Sequence, residues 1–288
     1  MNTAKVLGWT ASVAIVVLFA ATLTPCEAEE EARASFYFDE GWEHLQQGRL
    51  DQALDALGQA AKLDPSNQAY VTEAALLRRV MKLREDLAKE TDEGRWMARA
   101  RALRAYYYDK GLPAEALALD RQVHEKSGDP TSALLLAESM LENGRNAEAV
   151  TLLEALPAKE RATAGNLMMA LAQLRQGQDP GKDLQAAVTQ VSADAPAAQK
   201  FLLARLQARM GRDGQALAAL RSAFESTPGS MHESLRRHVT RCGDFADLAS
   251  QGDFERVLTT ESKIPESSCS SGSSCGSCPS RTSCSSGK

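Results

Sequence analysis

Four cysteines near the C-terminus, Cys269, Cys275, Cys278 and Cys284, stand in the pattern C-x5-C-x2-C-x5-C. The central Cys275-Gly-Ser-Cys278 pair has the spacing of a dithiol that can close on itself or grip a soft metal. Four thiolates together could hold zinc or cuprous ion. Their surroundings offer little to build either site with. Zinc ribbons place knuckle turns and a small core between two thiol pairs. Here the last 22 residues hold eleven Ser, three Gly, Pro279, Arg281 and Thr282 beside the thiols. A thioredoxin-type centre lacks its strand-to-helix context, and no His follows Cys278 as haem attachment requires. Residues 261–288 therefore read as a disordered Ser/Gly/Cys-rich tail with disulfides. Metal handling (zinc or copper) and thiol exchange stay open as alternatives, and no other cofactor is indicated. Cys242 is expected to be the buried thiol of the folded part.

The histidines are His44, His124, His232 and His238. His232-Glu233 begins like a zinc protease motif, but the next His stands six residues along rather than four. On one helix the two rings diverge, so a shared metal is not expected and all four are read as surface residues. No phosphate-cradling loop after a strand and no nucleophile elbow occurs. No residue is assigned a catalytic role, and the chain is read as not an enzyme. Tyr106, Tyr107 and Tyr108 point three ways on a helix, with Tyr107 in the core-facing place.

The elements that carry these residues are helices. The chain is 43% hydrophobic, mostly Ala and Leu, with 5% aromatics, which favours close-packed helices over sheets. A net charge of −5 gives no electrostatic reason to expect nucleic acid. Five stretches align with one another: QQGRLDQALDAL, DKGLPAEALALD, ENGRNAEAVTLL, RQGQDPGKDLQAAV and RMGRDGQALAAL. Their glycines are Gly48, Gly111, Gly144, Gly177 and Gly211, spaced 63, 33, 33 and 34 residues apart. Five residues on stand Ala53, Ala116, Ala149 and Ala216, while Asp179-Pro180 looks like an insertion in the fourth copy. Seven residues before the glycine stand Gly41, Ala137, Ala170 and Ala204, with Arg104 as the exception. Each turn glycine can end a helix in the left-handed region, and the flanking small residues let two helices cross closely. Ala60 and Pro65 in the first copy recur as Ala223 and Pro228 in the fifth.

This pattern resembles the tetratricopeptide repeat family over roughly residues 33–228. The resemblance implies an all-α, right-handed solenoid of antiparallel helix hairpins, with repeats near 34–67, 97–130, 130–163, 163–196 and 197–230. It also implies a protein or peptide partner held on a concave face lined by the first helices. In the repeat register the inward-facing candidates are Phe38, Trp42, Arg101, Tyr108, Glu138, Arg205 and Arg209. Arg and aromatics are the usual anchors of such a groove. The opposing view packs Phe38 and Trp42 against the next helix and leaves the charges solvated. The Lys/Asn set that grips a peptide C-terminus is not visible, which argues against a receptor for chaperone tails.

Between Pro65 and Met97 no turn glycine stands in register. Leu76, Val80, Leu83 and Leu87, widened by Leu77 and Met81, predict one long helix over 67–91, which reads as a bridging helix or as part of a degenerate repeat. After Pro228, two G-D-F turns with Phe245, Leu248, Phe254 and Leu258 predict an end cap over 231–260, since a solenoid's last repeat otherwise leaves its interface bare. At the other end, Lys5 precedes an uncharged run from Val6 to Cys26, with Glu27, Glu29, Glu30 and Glu31 behind it. Residues 1–28 thus read as an export signal cleaved after Ala28, a retained membrane anchor, or a lipid site at Cys26. Each sends the body across the membrane, to a periplasmic or other extracytoplasmic side. A scaffold or adaptor is the function expected, with a thiol or metal protein built on the tail as the alternative.

Overall fold

The computed structural model describes residues 25–265. The N-terminal segment before them and the four tail cysteines lie outside the described residues. Among the described residues there are thirteen α-helices, two short 3-10 turns and no strand. No described helix is long and apolar enough to cross a membrane. The helices form antiparallel hairpins, so the all-α repeat architecture holds. The described residues fall into two compact units, one ending at Lys82 and the other beginning at Leu83.

The first unit contains α1 (Pro25–Gln46), α2 (Leu50–Leu63) and the beginning of α3 (Gln68–Lys89). Ala34, Gly41 and Leu45 of α1 meet Leu50, Ala53, Leu57 and Ala60 of α2 in a buried seam. The crossing is close because residue 41 has no side chain. A Cβ there would stand 2.7 Å from the Leu57 Cγ, far inside normal packing distance. Along α3 the buried stripe is Ala74, Leu77, Val80 and Leu87. Leu76, expected in that stripe, is exposed instead; the core line runs one residue further along the helix, through Leu77.

The second unit holds the rest of α3, then α4 (Glu93–Lys110), α5 (Pro113–Ser127), α6 (Pro130–Glu142) and α7 (Asn146–Glu154). It continues with α8 (Ala158–Arg175), α9 (Gly181–Thr189), α10 (Ala197–Arg209) and α11 (Asp213–Glu225). Gly111, Gly144, Gly177 and Gly211 all have φ between 67° and 71° at the turns inside these hairpins, as does Gly48 in the first unit. In four of the five hairpins the second helix starts two residues after the glycine; α9 starts four after it, at Gly181, so Asp179-Pro180 lengthens the turn. Asp92 and Asp129 cap α4 and α6 by accepting from the backbone N–H groups of Arg95 and Ser132. Within α8, Ala162 breaks the helix at φ 48°, ψ −164°.

The C-terminal elements are α12 (His232–Arg241), a 3-10 turn at Gly243–Phe245, and α13 (Gly252–Leu258). Phe245, Leu248, Phe254 and Val257 pack with Leu220 and Phe224 of α11 into one core cluster. Contacts run past Thr260, where the fold was expected to end: Lys263 pairs with Glu225, and the Ser262 hydroxyl donates to the Thr227 carbonyl. α12 differs from the expected end cap in its path. It runs back to α4, where Arg237 pairs with Asp109 across 128 residues of sequence.

Candidate functional site

On the first unit, Phe38 and Trp42 sit one turn apart on α1, with ring centroids 6.3 Å apart and edge to face. Tyr70 of α3 closes on Phe38 at 4.6 Å. All three rings are only half-buried. Packing against the following helix, the alternative weighed for Phe38, is therefore real for one side of the cluster. Each ring nonetheless keeps part of its surface exposed.

On the second unit one face, made by side chains of α4, α6, α8 and α10, carries the segment from His238 to Asp244. Asp244 is buried, and its carboxylate accepts from Arg175 at 3.0 and 2.6 Å and from Arg205 at 2.9 Å. Arg209 stands 3.9 Å away. Arg205, whose side chain is 1% exposed, also reaches Glu142. Burial pushes the Asp244 carboxyl up, but Arg175 and Arg205 outweigh it and hold the pKa below the ordinary Asp value. The contrast with Asp120 is instructive. Asp120 accepts from Arg104 at 3.0 Å and from Ser139 at 2.5 Å, yet burial wins there and its pKa is raised. Asp120 has one arginine in hydrogen-bonding contact and Asp244 has two. Arg104 further donates to Glu138 at 2.7 Å and lies over the Tyr108 ring at 4.3 Å.

Four of the inward-facing candidates thus meet on this face, and all four face partners within the chain. Tyr108 packs parallel to the His238 ring at 6.1 Å. Glu138 holds Arg104, Arg205 holds Asp244 and Glu142, and exposed Arg209 lies beside Asp244. Arg101 is exposed on α4, away from these contacts. The charges at Arg205 are therefore not solvated. The chain's own C-terminal segment fills the place foreseen for a partner.

The histidines also differ from the surface placement expected of them. His232 is buried and donates from Nε2 toward the carbonyls of Phe224 and Thr227, both at 3.0 Å. His238 lies between Tyr108 and Phe201, with Glu142 at 3.9 Å, and burial lowers its pKa. The burial of His238 follows from α12 turning toward α4, whereas His232 is buried locally against the end of α11. Cys242 is a buried free thiol 3.6 Å from the Asp244 carboxylate. Burial raises it to a pKa of about 11, so it is a packing thiol rather than a thiolate. Among the described residues no three His, Cys, Asp or Glu side chains are grouped to hold a metal.

Arg175, Glu142, His238 and Asp244 escaped sequence reasoning, because nothing local ties a residue near position 244 to helices ending near 142 and 175. Arg104 did carry a signal. It is the one charged residue at the small-residue position of the repeat, and it marks the ionic cluster with Asp120.

The family model described as Tetratricopeptide repeat matches residues 34–67, a span holding most of α1 and all of α2. The match supports a tetratricopeptide-type repeat over this span, and such repeats typically mediate protein–protein interaction. No curated protein matches the chain.

Proposed function

We propose that the chain is a non-catalytic, exported scaffold that holds a protein or peptide partner on its first hairpin, with Phe38 and Trp42 as anchors and Tyr70 beside them. The observation that carries this reading is the partly exposed ring cluster on a hairpin that the repeat-family model matches. Aromatic side chains that are rigid and partly prepacked lose little entropy on binding and dominate interface energies. On the second unit the corresponding surface already serves the fold, which directs an external partner to the first. Lys5, the uncharged run after it and the acids behind that run support export.

The reading is tested by photo-cross-linking in the native host. A photoreactive phenylalanine replaces Trp42 in one protein and Arg209 in another. The expected outcome is a discrete adduct from position 42 and none from position 209, and Phe38→Ser should abolish it. An adduct from 209 alone, or none from 42, refutes the assignment.

A further inference from the structure

The ring cluster on α1 sits on a helix of unbalanced charge. α1 carries seven acids against one arginine, Arg33. Successive helical residues turn by about 100°. On that wheel Glu31 and Asp39 flank Trp42, and Glu43 stands opposite the buried seam of Ala34, Gly41 and Leu45. Phe36 lies beside Glu43 and is 64% exposed. Arg33 stands half a turn round the helix from Trp42. Glu31, Asp39 and Glu43 are exposed, and among the described residues none of them has an ion-pair partner. The exposed Arg78 and Arg79 of α3 pair with none of the three. Glu40, by contrast, stands 3.8 Å from His44.

Helix stability does not account for Asp39 and Glu43. Acids are favourable near the N-terminus of a helix, but these two lie in the C-terminal half of α1, toward the negative end of its dipole. They are also four residues apart, a like-charge spacing that destabilises a helix. The rings of Phe38 and Trp42 recur at the same one-turn interval. Unpaired carboxylates and partly exposed rings therefore run side by side along α1 with one helical period.

We infer that this face of α1 receives a basic amphipathic helix of a partner protein. The apolar stripe of that helix lies on Phe38 and Trp42, and its Lys or Arg residues, one turn apart, lie beside Asp39 and Glu43. The inference rests on the scaffold reading above and names the chemistry of its partner. A cation arriving there gains an unpaired carboxylate without breaking an existing pair. The same charges repel nucleic acid and anionic membrane. An amphipathic helix presents its anchors at the one-turn spacing that the rings show.

The test uses the full chain and two fluorescein-labelled synthetic helices that share a leucine stripe, one with lysines elsewhere and one with glutamates. The lysine helix should bind the wild type, and the double variant Asp39→Lys, Glu43→Lys should weaken it about ten-fold. Asp51→Lys with Asp55→Lys makes the same charge change at the same spacing on exposed positions of α2, and should leave the affinity within about two-fold. Equal losses from the two double variants, or equally tight binding of the glutamate helix, overturn the inference. So does an affinity of wild type for the lysine helix that added salt leaves unchanged, a measurement that needs no variant. The cross-link at position 42 separates the two readings. No adduct there removes the scaffold reading, whereas an adduct on an acidic segment of the partner leaves that reading standing and overturns this one.

Discussion

Residue 162 is an alanine held at φ 48°, ψ −164°, a region that only glycine enters freely. The native conformation there is already non-helical, so removing the Cβ relieves strain without costing helix propensity. Ala162→Gly is expected to stabilise the second unit by about 1 kcal/mol, read as a raised midpoint in thermal denaturation. The turn glycines were legible in the sequence because their requirement is local: a helix that reverses within three residues needs a left-handed position, and glycine supplies it. Arg104 was visible as an exception to the repeat, but its meaning was not. Its partner Asp120 lies on the other helix of the hairpin, and an isolated aspartate there looks like any solvated acid.

Among the elements, the short segment from α12 to the 3-10 turn decides what the inner face can do. Asp244 is its pivot. Asp244→Ala would leave Arg205 buried with Glu142 as its remaining anion and Arg175 short of its carboxylate. The expected loss is about 3 kcal/mol in denaturant unfolding. Asp244→Asn, which keeps the shape and some hydrogen bonds, should lose less. Hairpins could be read from sequence since each is stabilised by residues within one repeat. The path of α12 could not, because nothing in HESLRRHVTR distinguishes a helix that closes the end of a stack from one that turns into its groove. Only the pairing with α4, more than a hundred residues earlier, selects the second.

For the molecule as a whole, these buried groups give the second unit an acid sensitivity with a definite order. His238 has its pKa lowered by burial, so the folded form prefers the neutral ring. Its contribution is intact above the unfolded value of about 6.5 and is lost as pH falls below it, at no more than about 1.4 kcal/mol per pH unit. Asp244 is likewise lowered, and its contribution is lost only as pH falls below about 4. Unfolding followed between pH 7 and pH 3 should therefore show an early decline that His238→Phe abolishes, followed by a steeper one that it leaves in place. Stability unchanged down to pH 5 in the wild type would contradict the first stage.

The return of α12 to α4 also bears on synthesis. An ordinary solenoid can fold repeat by repeat as it emerges, since each hairpin needs only its neighbours. Here the end of α4 waits for Arg241, whose guanidinium contacts a carbonyl 131 residues earlier. At about 5–20 residues per second, translation leaves the end of α4 uncovered for roughly 7–26 s. A nascent chain therefore passes through a stage in which the α4–α5 hairpin is formed and the last carbonyls of α4 are open, before the C-terminal helix exists to cover them.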